Sequence, residues 1–354
     1  MALLTITPAT QAGYDCLALG EVMLRLDPGE QRIRRADRFQ VWEGGGEYNV
    51  VQGLSSCFGQ RTGIITSLVD NEVGQLIAGL IRRSGVDGRW IRWLPHDGMG
   101  LKARNGLYFM ERGFGERAAK AVMDRGHTAI AQLRAGDIDW PSLFKEARPR
   151  WFHVGGVIAG LSEQAPELVL AAMTAAREQG AVVSYDLNYR DSLWRERGGR
   201  SAAAAVNEKL IGQVDVLFGV DQLSRTVDAL ESGVFAEALE RMQARFANLK
   251  ILVTTQRVMH DASHNSWSGM CLAGGEIHQA TAYDRLPIFD RVGGGDAFAA
   301  GFIYGLLQGD SVQRSLDIAV AHGALVMSTP GDNSMFGLDE VLAFAGGGDA
   351  SALR

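Results

Sequence analysis

Residues Asp290–Gly301 read DRVGGGDAFAAG, three consecutive glycines and an aspartate running into a helical pattern over Ala297–Leu307. Consecutive glycines interrupt regular structure and let backbone N–H groups come close to an anion. The helix that follows adds its own unpaired N–H groups and the positive end of its dipole. Gly293, Gly294 and Gly295 therefore form a candidate cradle for a phosphate or an oxyanion. Asp296, at the expected helix start, is either an N-cap or a general base beside the bound anion. The stretch is neither a Walker A sequence nor the spaced GxGxxG of dinucleotide sites. Ala299, Ala300 and Gly301 predict a helix that packs closely against a neighbour.

Outward from this junction, short apolar runs alternate with helical patterns, which predicts a mostly parallel sheet with helices on both faces. Cys16–Met23, Thr62–Leu68, Trp151–Val154, Val182–Asp186, Val214–Phe218 and Ile251–Thr254 read as buried strands. Tyr48–Phe58, Val73–Ser84, Pro166–Gln179, Ala202–Ile211, Asp296–Leu307 and Val312–Met327 read as helices. Two regions, about 31–43 and 102–126, alternate polar and apolar residues instead, as half-exposed strands do. They predict either ordinary edge hairpins or a small lid sheet that closes over a substrate and excludes water. One domain over 14–345 is expected, with flexible tails at 1–13 and 346–354.

Composition narrows the classes of partner. A net charge of −6, with the basic residues scattered, argues against nucleic acid. No apolar run approaches the roughly 18–20 residues of a membrane span, and no basic segment with an apolar core opens the chain. Cys16, Cys57 and Cys271 are widely spaced, an odd set that fits buried thiols in a reducing cytoplasm. His260 and His264 stand four apart, but with no carboxylate at suitable spacing they read as surface residues, and no metal ligands are assigned.

The run DRVGGGDAFAAGFIYGLL resembles the C-terminal signature of the ribokinase-like (PfkB) carbohydrate kinases and is similar to the 2-keto-3-deoxygluconate kinase branch. The resemblance extends from about residue 15 to residue 345. It implies a three-layer α/β/α fold with a mostly parallel central sheet and a small β-sheet lid. It also implies ATP-dependent phosphorylation of a sugar-acid primary hydroxyl, with ATP and Mg²⁺ and a monovalent cation as a further candidate. The residue at Asp296 would be the base, and the amides before it the anion hole. Gly44–Asn49 (GGGEYN) resembles the family's Gly-Gly-x-x-x-Asn motif, which gives Gly45 and Asn49 substrate-binding roles. Tyr185–Trp194 (YDLNYRDSLW) resembles a run whose arginine, here Arg190, meets the substrate carboxylate or the phosphates. Guanidinium geometry suits either anion. Tyr108 and Arg125 fall on segments that touch the sugar acid, Thr255 on the nucleotide side, and Asn333 in a C-terminal loop near the adenine end. Lid sheets of such proteins imply a homo-oligomer, a dimer through the lid.

Two features depart from the pattern. The family's Asn-x-x-Glu motif, whose glutamate orients Mg²⁺ through water, is replaced at Val220 and Leu223, leaving Asp221 as the nearest carboxylate. A tyrosine expected two residues before Arg125 is Met123. These keep other readings open: a fructokinase, a 5-keto-2-deoxygluconate kinase, or a catalytically weak sugar-binding homologue.

Overall fold

A computed structural model describes residues 3–220 and 232–348. Its strands, in chain order, are β1 (Tyr14–Leu19), β2 (Met23–Asp27), β3 (Gln40–Gly44), β4 (Thr62–Asp70), β5 (Ile91–Pro95), β6 (Leu107–Glu111) and β7 (Lys120–Asp124). They continue with β8 (Pro149–Gly155), β9 (Val182–Asp186), β10 (Val216–Phe218), β11 (Ile251–Met259), β12 (His264–Ala273), β13 (Glu276–Gln279) and β14 (Tyr283–Pro287).

Ten of these strands form one sheet, ordered β13-β12-β11-β10-β9-β8-β1-β4-β5, with β14 also paired to β12. From β5 across to β11 every pairing is parallel. Beyond β11 the pairings turn antiparallel. Parallel strands covered on both faces read as continuous apolar runs, and β1 and β8 are buried along their whole length. Successive side chains of β1 point to opposite faces. Cys16 and Ala18 join one core with the helices Gly46–Ser56, Gly294–Gln308 and Val312–Val326. Leu17 and Leu19 join the other with the helices Trp140–Ala147, Ala165–Glu178 and Ser232–Arg245. The result is three layers. Cys16, Cys57 and Cys271 are buried free thiols, and burial pushes the last two up to about 12.

The second sheet runs β3-β2-β6-β7; β3, β6 and β7 fall in or at the edge of the two expected regions, and β2 lies outside them. Ile33–Arg35 is a 3₁₀ turn, not a strand. The Glu111 carboxylate accepts from both Arg32 Nε and the Ile33 amide at 2.7 Å, holding that segment as a connection. The place beside β3 is taken by β2, whose Met23 the sequence analysis assigns to the first buried strand. β2 carries Arg25 and Asp27 between its apolar residues, yet both are fully buried. The outermost strand, β7, is exposed throughout.

The expected loose N-terminal extension is held in place over its described residues. Leu3, Leu4 and Ile6 pack on the core, and Arg150 Nε donates to the Thr7 carbonyl at 2.8 Å. Among the described residues no helix is long and apolar enough to cross a membrane.

Candidate active site

The glycine junction bends as its composition demands. Gly293 adopts φ 82°, and a Cβ there would run into the Asp332 carbonyl, so only glycine fits. The helix starts at Gly294, two residues earlier than expected, which places Asp296 inside its first turn instead of at the N-cap. Its first backbone bond runs from the Ala297 N–H to the Gly293 carbonyl at 2.8 Å, so the preceding amides are left without helical acceptors. Gly293 and Gly295 line a cleft of about 1040 Å³.

Asp296 lines this cleft, and its Oδ2 accepts from Asn49 Nδ2 at 2.7 Å. Asn49 is held in turn by the Gly45 amide, which donates to Oδ1 at 3.2 Å. Gly45 has extended backbone, but a side chain there would collide with the Glu21 carbonyl. Burial pushes the Asp296 carboxyl well above the usual carboxylate range. The Asn49 hydrogen bond and Arg190 oppose that rise, while the charges of Asp186 and Asp332 add to it. Burial raises Asp186 to about 6, against the pull of Arg190 and the Asn188 amide. Asn188 sits at φ 31°, a region asparagine tolerates, and its amide donates to Asp186 Oδ1 at 3.1 Å. The chemistry available is an unpaired amide cradle beside a carboxyl whose burial favours holding a proton.

Most of the sequence candidates meet in this one cleft: Gly45, Asn49, Tyr108, Arg125, Arg190, Thr255, Gly293, Gly295 and Asp296. Tyr108 is buried and donates its hydroxyl to the Asp332 carboxylate. Arg125 is ion-paired with buried Glu21, while its Nε has no partner among the described residues. Two candidates lie elsewhere. Gly294 is buried behind the cleft wall, where a side chain would press on Met327. Asn333 is absent from the cleft lining; it is buried and donates Nδ2 to the Glu43 carbonyl at 3.2 Å, fastening the C-terminal loop to β3. Asp221 and Leu223 fall outside the described residues. Val220 lines the cleft with an apolar side chain, and Met123 lines it opposite Tyr108 on the β6–β7 pair.

Sequence reasoning passed over Arg257, Arg291 and Asp332, which also line the cleft. Arg291 had a legible signal, since it stands two residues before the first glycine. Arg257 had none beyond lying at the end of an apolar run.

A sequence model of the pfkB family carbohydrate kinases matches residues 15–337. The chain belongs to the pfkB family of carbohydrate kinases. A 2-dehydro-3-deoxygluconokinase from Thermotoga maritima, known from its crystal structure, is similar to this pfkB kinase with a TM-score of 0.84. The two are 34% identical, over 94% of this chain and 98% of that one. A 2-dehydro-3-deoxygalactonokinase from Haloferax volcanii is 28% identical over 96% of this chain and 99% of its own length. A 5-dehydro-2-deoxygluconokinase from Bacillus licheniformis is 26% identical, with 89% and 90% covered. The ribokinase-like fold and the carbohydrate-kinase activity implied by the sequence resemblance thus stand for this pfkB kinase.

Proposed function

We propose that this pfkB kinase transfers the γ-phosphoryl group of ATP to a primary hydroxyl of a sugar acid, converting 2-keto-3-deoxygluconate to its 6-phosphate. The observation that carries this is the Asp296 carboxyl, oriented by Asn49, beside the unpaired amides at the head of the helix Gly294–Gln308. Asp296 takes the hydroxyl proton as the oxygen attacks phosphorus, and the Gly293 and Gly295 amides meet the charge that develops on the phosphoryl oxygens. Arg190, near enough to favour the charged forms of Asp186 and Asp296, balances the transferring group.

The acid end of the substrate is assigned to the lid. Arg125 has an unpartnered, buried Nε, a donor suited to a carboxylate. The Tyr108 oxygen, although its proton goes to Asp332, still accepts from a sugar hydroxyl. Gly45 and Asn49 complete the sugar side, and Thr255 lies on the nucleotide side.

Asp186 is the cleft carboxylate that would meet a Mg²⁺ ion arriving on the ATP phosphates. Among the described residues no three His, Cys, Asp or Glu side chains group into a separate metal cage. Magnesium commonly relies on one or two carboxylates, water and substrate phosphates, where it offsets phosphate charge. A monovalent cation beside the Pro330–Asn333 loop is a further candidate of this reading; Asp290 and Asp332 already hold the Arg25 guanidinium. A dimer through the lid belongs to the same reading, with Val41, Val122 and Met123 exposed on β3 and β7. So does action in the cytoplasm.

The test is ADP release with 2-keto-3-deoxygluconate, its galacto epimer, 5-keto-2-deoxygluconate, fructose and ribose. Turnover is expected to be fastest on the first, and Asp296→Asn lowers kcat about 10²- to 10⁴-fold. Val220, apolar where relatives of this type place a Mg²⁺-orienting motif, favours a second reading as a weakly catalytic sugar binder. Calorimetric binding of a sugar acid with no ADP formed from any substrate would establish that second reading and end the first.

A further inference from the structure

Arg257 lies on β11, in the main sheet, and Arg291 lies two residues before Gly293; both line the cleft together with Arg190. Alternation along a strand puts Arg257 and Met259 on one face of β11. Arg291 Nη1 lies 3.4 Å from Met259 Sδ, so the arginine of the glycine loop folds over the face that carries Arg257. Arg125 and Arg150 each pair with a buried carboxylate, Glu21 and Asp15 respectively. Arg190, Arg257 and Arg291 have no such partner among the described residues. Burial, and then the positive charges of Arg291 and Arg190, hold the Arg257 guanidinium below its ordinary range. Like charges gathered in a partly buried cleft destabilise the empty protein, and an anionic ligand removes that cost. The same cleft wall carries Val220, which cannot help orient a divalent ion.

We propose that Arg257 and Arg291 form a clamp for the β- and γ-phosphates of ATP beside the Gly293 and Gly295 amides. The clamp supplies, from this chain's own side chains, part of the charge neutralisation that an oriented divalent ion would otherwise provide. The proposal rests on the kinase reading of the cleft. Paired guanidinium donors suit phosphate oxygens, and a lysine in their place keeps the charge but not the fork.

The experiment is calorimetric titration with a non-hydrolysable ATP analogue, adenylyl imidodiphosphate, and with adenosine, each in Mg²⁺ and in EDTA. The proteins are the wild type, Arg257→Met, Arg291→Met and Arg257→Lys, with circular dichroism to check folding. The wild type should bind the analogue in EDTA as well as in Mg²⁺. Either methionine variant should weaken analogue binding in EDTA by about 10- to 100-fold, the loss of a charged hydrogen bond. Adenosine affinity should be unchanged, and Arg257→Lys should recover part of the loss. In turnover, KM for ATP rises and KM for the sugar acid does not. Unchanged analogue affinity in both methionine variants, or equal weakening of analogue and adenosine, overturns the clamp while leaving the kinase reading intact. A wild type that binds neither analogue nor adenosine, and forms no ADP, overturns both.

Discussion

Arg25 offers a direct measure of what joins the lid to the glycine loop. It is fully buried on β2, with Asp27 at 2.8 Å, Asp332 at 2.6 Å and Asp290 also in ion-pair contact. Asp290 opens the segment leading to Gly293, and Asp332 supplies the carbonyl against which Gly293 packs. Replacing Arg25 with methionine fills much of the space but leaves Asp290 and Asp332 without a cation, while Asp27 keeps only Arg112 at 3.8 Å. Removing one partner of a buried pair costs about 3–5 kcal/mol, because the remaining charge is uncompensated. Unfolding entropy of about 2.1 cal/mol/K per residue gives about 0.7 kcal/mol/K for a chain of 354 residues. The expected fall in Tm at pH 8 is therefore about 4–7 °C.

The pH dependence of that deficit has a definite sign. Burial already raises the Asp290 carboxyl, and Arg25 is the leading influence that lowers it. Without Arg25 its folded pKa climbs further above the unfolded value. A carboxyl shifted that way loses stabilisation as pH rises through its folded pKa, so the deficit grows from pH 5 to pH 8. Adding Asp290→Asn to Arg25→Met removes one orphaned charge and should recover part of the Tm. Differential scanning calorimetry of the three proteins at both pH values decides the matter. A shift below about 1 °C at pH 8, or no recovery in the double variant, refutes the reasoning.

Asp296 must be ionised to accept a proton, and its pKa lies well above the ordinary range, so kcat/KM should fall as pH drops, with Asp186 adding an inflection near its value of about 6. A profile flat from pH 8 to pH 5 would remove Asp296 from that role. For stability the sign reverses: the same raised pKa favours the native state at low pH and costs stability as pH rises. Asp296→Asn should thus raise the ligand-free Tm at pH 8, with the gain shrinking towards pH 5. Met123→Tyr places a phenol on the cleft wall opposite Tyr108 and should lower KM for the sugar acid by about 2- to 10-fold at similar kcat, one hydrogen bond's worth. An unchanged or higher KM would show that position 123 does not touch the substrate.

The layers were legible because parallel strands covered on both faces must be apolar throughout. Val182–Asp186 emerges with the boundaries read from the sequence, and the strand at Trp151 differs only by short extensions. The glycine junction was legible for a similar reason, since few residues can turn at φ 82° against a carbonyl. The lid was read only in outline. β2 alternates apolar and charged residues, a pattern that ordinarily marks one wet face, but here the charged side is turned inward and neutralised.

That inversion also explains which site residues escaped. Arg25 and Asp332 are 307 positions apart, and Arg25 and Asp290 are 265 apart. Nothing local in the sequence distinguishes such an arginine from one on a solvated surface. Arg257 and Arg291 pose the same problem from the other side: their meaning lies in sharing a cleft with no carboxylate partner among the described residues, a relation between distant strands and loops. Glycines and helix starts carry their constraint in the backbone, so a short stretch of chain declares them. A charged side chain carries its constraint in whatever faces it, and for Arg25 two of the three facing carboxylates come from the opposite end of the chain.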